Sequence, residues 1–186
     1  MVMGSQEVGD TVTCQLLDGR LISLRGLDGD DAEAVVALHR DLSDHDRYFR
    51  FFTVHPAHLD ELVSRLIEPA DGRYALGAFD GDRLIGVADY TVCVDRTAAD
   101  IAVVVAHEDH SHGVGTALLQ RLAQIARAHG IVRFVADVLA QNQLMLAVIS
   151  DLGWPRDRGD CTSIVHLDIA LPERIGVSSP AGQEIS

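Results

Sequence analysis

The stretch ADIAVVVAHEDHSHGVGTALLQRL, residues 99–122, constrains this chain more than any other. Its continuous apolar run over about residues 99 to 106 predicts a strand buried on both faces, hence a central one. A short loop containing glycines then leads straight into a helix from Gly113 to His129. Val114, Leu118, Leu122, Ile125 and Ala126 share one side of that helix, and Gly130 is placed to end it. At such a helix start the unpaired backbone N–H groups converge on one spot, and small residues such as Gly113 and Gly115 let an anion approach the main chain closely. A pyrophosphate would be held there without any lysine. Taken alone, a GxG at a helix start is a weak mark, equally compatible with a purely structural turn.

The elements around it follow from periodicity. Leu21 to Arg25 make a short strand, after which Asp28 can cap a helix carrying Ala34, Val35, Leu38 and Leu42. The polar break LSDHDRYFRFF precedes a second helix near residues 57 to 67, with Leu59, Leu62, Val63, Leu66 and Ile67 as its stripe. YALGAFDGDRLIGVADYTVCV reads as two strands joined at Asp80-Gly81-Asp82, where a glycine flanked by aspartates favours a tight turn. After the long helix come the strand RFVADVL, a helix from Asn142 to Leu152 and the strand SIVHLDIAL. This order predicts an α/β chain, an α+β sandwich around a single mixed central β-sheet flanked by helices. Residues 1–13 and 172–186 read as loose tails around one domain at 14–171.

Composition narrows the partners. The chain has 28 acidic against 15 basic residues, a formal charge of −13, which argues against nucleic acid as a partner. Cys14, Cys93 and Cys161 are odd in number and lack CxxC spacing, so no disulfide framework or zinc ribbon is expected and a reducing cytosol fits best. No apolar run approaches the roughly 20 residues that span a bilayer, and the N-terminus carries no leader pattern. A cytoplasmic monomer or homodimer, without a membrane or nucleic-acid partner, is the expectation.

At His110-Ser111-His112-Gly113-Val114-Gly115 the sequence resembles the GNAT superfamily of N-acetyltransferases, whose signature is Gln/Arg-x-x-Gly-x-Gly/Ala after the fourth strand. The departure is His110, where Gln or Arg is usual. Asn142, Gly153 and Trp154 match the family's Asn-led helix that ends in Gly-Phe, although the position seven residues after the asparagine, often a tyrosine acid, is Ile149. Arg47, Tyr48, Arg50 and Phe51 are similar to a segment of the bacterial Pat-type protein-lysine acetyltransferases. The resemblance implies a GNAT fold with acetyl-CoA as acyl donor. Its pyrophosphate would lie on the amides of residues 110 to 116, including Val114 and Thr116, and its pantetheine arm along Val103, Val104 and Val105. Asn142 is counted with this set.

The resemblance also implies a carboxylate on the strand before the loop as general base, and Asp100 stands there, one methylene shorter than the family's glutamate. A water is therefore expected to relay the proton from the amine. The amide of Val105 is the expected donor to the developing oxyanion. Glu108 and Asp89 are lesser candidates for the base, and a solvated strand-start residue is the plain alternative for Asp100. No metal is required by this chemistry. HEDH is not the zinc-protease motif, because HExxH needs histidine where Ser111 stands, so His107, His110 and His112 read as a solvated loop. His39, His45, His55, His58 and His129 read as surface or capping residues. Arg47, Tyr48 and Arg50 either line an acceptor site or tie the first two helices together. The acidic balance suits a lysine-bearing protein as acceptor, and equally a polyamine or an aminoglycoside.

All 15 basic residues are arginine. Incubation with acetyl-CoA is therefore expected to leave the chain's own side chains without stoichiometric acetylation, the N-terminal amine being the remaining target. Peptide mass spectrometry finding it elsewhere would contradict this.

Overall fold

The computed structural model describes residues 11–44, 46, 59–159 and 163–173. In chain order the elements are β1 (Val12–Gln15), β2 (Leu21–Gly26), α1 (Ala32–Arg40), α2 (Leu59–Ile67), β3 (Arg73–Asp80), β4 (Arg83–Val92) and β5 (Ala98–Val105). They continue with α3 (Val114–Ala128), β6 (Arg133–Leu139), α4 (Gln143–Asp151), β7 (Arg156–Gly159) and β8 (Ile164–Ala170). Among the described residues the strands form one eight-stranded sheet in the order β1-β2-β3-β4-β5-β6-β8-β7. The β5–β6 pair is parallel and the others are antiparallel, so the sheet is mixed, as the element order predicts.

Two apolar layers cover it. On one face α3 lays Leu118, Leu119 and Leu122 against Leu76, Ile85, Ala99 and Phe134. Fully burying each such leucine contributes ~1.5–3 kcal/mol. On the other face α1 and α2 bring Val35, Leu38, Leu62 and Leu66 onto Ala75, Phe79, Val87 and Val104. The alternation of β4 and β5 thus divides their side chains between the two layers.

The local signals act as their chemistry dictates. Gly81 takes φ 61 in a two-residue loop between the paired Asp80 and Arg83, the geometry of a hairpin turn with glycine first. Gly130, at φ 82, closes α3 in a Schellman arrangement, its N–H donating to Arg127 O and that of Ile131 to Ala126 O. Asp28 caps a single 3-10 turn, Gly29–Asp31, rather than α1 itself. Its side chain accepts from Asp30 N while Asp31 accepts from Asp28 N. Asp31 also takes a bidentate pair from Arg25 at 2.7 and 2.8 Å, which fixes the entry to α1 and holds its carboxyl below the usual range.

Four further expectations change. The N-terminal tail ends earlier than residue 13, because Val12 and Thr13 pair with Leu24 and Ser23 in β1. The short β7 carries no periodic signal at four residues and was not expected. β5 is not buried throughout, since Asp100 is exposed and Val103 and Val105 are half-buried where β6 leaves its side. His39 is buried, because it lies on the inward side of α1 and donates its Nδ1 hydrogen to Val35 O at 2.8 Å. Arg47, Tyr48, Arg50 and Phe51, with His45, His55, His58 and Cys161, lie outside the described residues.

Gly86, opposite Val105, sets how closely α3 approaches the sheet. A Cβ there would stand 3.0 Å from Leu118 Cδ1, 3.1 Å from Val104 O and 3.3 Å from Val114 Cγ1. Gly86→Ala is expected to destabilise the fold by about 1–3 kcal/mol through overpacking, measured by denaturant unfolding; an unchanged midpoint would refute the close approach.

Candidate active site

The site begins where two parallel strands part. β5 and β6 pair over only three positions, Ala98–Arg133, Ala99–Phe134 and Asp100–Val135. Beyond Asp100 the β6 side of β5 lies open, and a cleft of about 320 Å³ runs between β5 and α4. Val103, Val105, Val114, Gly115, Met145 and Val148 line it.

Strand parity decides which amides face the cleft. Ala106 N donates to Ile85 O across the β4 side, so the main-chain groups of Ala102 and Val104 also turn toward β4. Those of Val103 and Val105 turn into the opening. Val104 also lines the cleft, but its backbone is committed to β4 and its side chain packs in the α1–α2 layer. The Val105 carbonyl is also taken, since His110 Nε2 donates to it at 3.0 Å. What β5 offers a ligand is the edge of Val103 and the N–H of Val105.

At the mouth of the cleft the loop enters α3 through Gly113, at φ 92, a left-handed conformation that strains any side chain. Gly113 provides no side-chain cap, so the first N–H groups of α3, from Val114 to Thr116, are left for an anion. Ser111 also takes positive φ, at 65. Gly115 sits on the cleft floor, where an added Cβ would meet only Val148 and Val105 at 3.6 to 3.9 Å. Asn142 also lines the cleft, but its side-chain oxygen caps α4 by accepting from Met145 N at 3.1 Å.

An ion-pair network missed by the sequence reading holds this loop. Asp109, 2% exposed, accepts from Arg20 at 2.9 Å and from Arg83 at 3.0 Å. Arg20 also grips Asp18 and Asp80, and Leu17 N donates to His112 O at 3.1 Å. The two arginines that hold Asp109 lie 89 and 26 residues before it, so no local pattern reveals them. Arg83 likewise engages Glu108, which turns that candidate base toward the β3–β4 hairpin.

Asp100 does not line the cleft. It opposes Thr91 on β4 and shares its face with Ala102 and Val104, the face covered by α1 and α2. Asp89, opposite Ala102, lies buried on that same face, about 7–8 Å away by cross-strand diagonal spacing. Tyr74 and Tyr90, the described tyrosines, stack on each other in the α3 layer and do not border the cleft.

An open strand edge leading to an uncapped helix N-terminus is in keeping with what the resemblance implies, and residues 36–154 match the acetyltransferase (GNAT) family. The chain belongs to the GNAT family. Over 165 residues it is 29% identical to an acetyltransferase of Pseudomonas aeruginosa, covering 85% of this chain and 89% of that relative. The GNAT domain of S. lividans PAT superposes with a TM-score of 0.78 at 30% identity, covering 87% of this chain and 97% of that one. Spermidine N-acetyltransferase from Vibrio cholerae, solved with CoA and spermine, shares the fold at a TM-score of 0.65 and 15% identity, covering 81% of this chain and 95% of that one. As a GNAT member the chain is an acetyl-CoA-dependent acyltransferase.

A Cβ at residue 115 would reach ordinary contact with Val148 and Val105, at 3.6 to 3.9 Å, and so narrow this GNAT cleft without crowding the fold. Gly115→Ala is expected to raise the acetyl-CoA Kd several-fold without lowering the thermal midpoint, because alanine favours a helix over glycine. Calorimetric titration beside a melting curve checks both, and unaltered affinity would move the ligand out of this cleft.

Proposed function

We propose that this GNAT enzyme acetylates the side-chain amine of protein lysines in the cytosol, by direct attack within a ternary complex. The observation that carries the reading is the division of β5. Its Val103 and Val105 amides open edge-on into the cleft and their side chains pack in the α3 layer, while Asp100 stands on the opposite face beside Asp89. Donor and acceptor would thus approach from different faces and meet at the gap left by β6.

In this reading the α3 amides from Val114 to Thr116 and the loop from His110 to Gly113 hold the pyrophosphate, and the edge of Val103 pairs with the pantetheine arm. A lysine amine of pKa about 10.4 arrives protonated at neutral pH and must lose that proton before its nitrogen bonds to the thioester carbon. Asp100 takes it through a water, in keeping with its short side chain and solvent contact. The Val105 N–H donates to the oxygen that gains charge as the C–N bond forms. The C–S bond then breaks, and the thiolate is protonated by solvent, since Ile149 replaces the usual tyrosine and is 1% exposed.

Two features support a cationic protein acceptor. The chain carries a net −13, and Asp89 and Asp100 put two carboxylates on the acceptor face. The likeness to the Pat-type segment at residues 47–51 and the 30% identity to the GNAT domain of S. lividans PAT point the same way.

Thiol release measured with acetyl-CoA and a panel of lysine peptides, folded proteins and polyamines tests this. Lysine-bearing substrates are expected to turn over. Turnover of polyamines alone would make the enzyme a small-amine acetyltransferase, and acetyl-CoA binding without thiol release would make it an acyl-CoA sensor. Asp100→Asn is expected to lower kcat by about 10²- to 10⁴-fold and flatten its acid limb, with the acetyl-CoA KM unchanged. A wild-type pH profile in that variant would pass the base to another group.

A further inference from the structure

The turn between β5 and the anion loop carries a second group of chemically capable side chains. His107 to Asp109 form a 3-10 turn capped by His110, and residues three apart on such a turn eclipse one another. His107 and His110 therefore lie on one side, edge to face, their ring centroids 5.2 Å apart at 65°. The intervening carboxylates are occupied, Glu108 by Arg83 and Asp109 by Arg20 and Arg83. The third donor comes from 61 residues away: Asp46 Oδ2 stands 3.3 Å from His107 Nδ1. One donor atom each from Asp46, His107 and His110 lie within 4.8 Å of one another.

We propose that Asp46, His107 and His110 form a binding site for one divalent transition-metal ion of the Zn²⁺ class. The 3.3 Å Asp46–His107 separation matches the edge of a tetrahedron with metal–ligand bonds of about 2.0–2.1 Å. His110 then needs to close by at most about 1.5 Å, within the reach of a side-chain rotation on this loop. Two of the three ligands already have outer partners of the kind that orient metal-binding groups. The His110 Nε2 hydrogen goes to Val105 O at 3.0 Å, which leaves Nδ1 as the lone-pair nitrogen, and Ser43 Oγ donates to Asp46 at 2.7 Å. Two imidazoles with one carboxylate select Zn²⁺ or Co²⁺ over Mg²⁺ and Ca²⁺, which need oxygen-rich shells. His107 is 75% exposed at its side chain, so an ion reaches the site from solvent. Asp46 and His110 also border the acetyl-CoA cleft, which puts the ion at its rim with a fourth position open.

The site depends neither on the acceptor nor on Asp100, so its test reads binding directly. The full chain, stripped with chelator, is titrated with Co²⁺ and followed by the visible absorption of four-coordinate cobalt. Displacement by Zn²⁺ and calorimetric stoichiometry complete the measurement. One ion per chain is expected. His107→Ala and Asp46→Asn should each weaken it on the order of tenfold or more, whereas His166→Ala, in the separate exposed His166–Asp137 pair, should leave it unchanged. Circular dichroism shows that the variants fold. Absence of a stoichiometric site, or a site that survives both His107→Ala and Asp46→Asn, overturns the proposal.

Discussion

The parting of β5 from β6 after three residue pairs is the constraint on which the rest of the molecule depends. A parallel pair ordinarily satisfies the backbone along its whole length. Here β6 keeps seven pairs with β8 on its other side, so it gives up β5 while remaining a full strand. The cost is carried by β5, whose Val103 and Val105 groups lose their partners on one edge. In the proposed reading the Val103 groups and the Val105 N–H serve the ligand, the Val105 carbonyl being taken by His110, and α4 borders the gap they face. Gly86 on the opposite neighbour completes the arrangement, since only a missing side chain lets α3 sit with its first turn at the mouth of the opening.

Charge explains why, in the proposed reading, the anion end is built from main chain. The molecule has 15 arginines, and several of those described are already committed to carboxylates: Arg20 to Asp18, Asp80 and Asp109, Arg25 to Asp31, and Arg133 to Asp95 and Asp168. Backbone N–H groups at a helix start attract a phosphate without adding a charge that the surrounding aspartates would capture. The arginines act one step removed. Arg20 and Arg83 hold Asp109, and Asp109 holds the loop that presents the amides.

The sequence made legible what repeats locally. The apolar period of α3, the Gly130 stop, the Asp80–Asp82 turn and the glycines of the anion loop are short-range signals, and each matches an observed element. Asp28 was legible as a cap but not as the cap of a 3-10 turn, because that choice depends on Arg25 binding Asp31 from a strand. β7 is too short to show a period, and the half-exposure of β5 follows from where β6 diverges, which no apolar run encodes. His39 reads as polar and lies buried, its ring hydrogen satisfied by its own helix. At the site, the glycine loop was readable as the entry to α3, but the Asp109 network and the approach of Asp46 to His107 join distant parts of the chain.

The proposed approach of donor and acceptor from different faces has a consequence for the base. A carboxylate on the same face as the cleft would add negative charge to the walls that receive an anionic donor, which like-charge repulsion disfavours. Asp100 avoids this by strand parity alone: one residue along β5, its side chain would have pointed into the α3 layer with Ala99 and Ile101. Parity also brings it beside Asp89, so the carboxylates that would discourage a phosphate are gathered where a cationic amine would be drawn in. The two halves of the proposed reaction are thus separated by the thickness of one strand, and the gap left by β6 is where that separation ends.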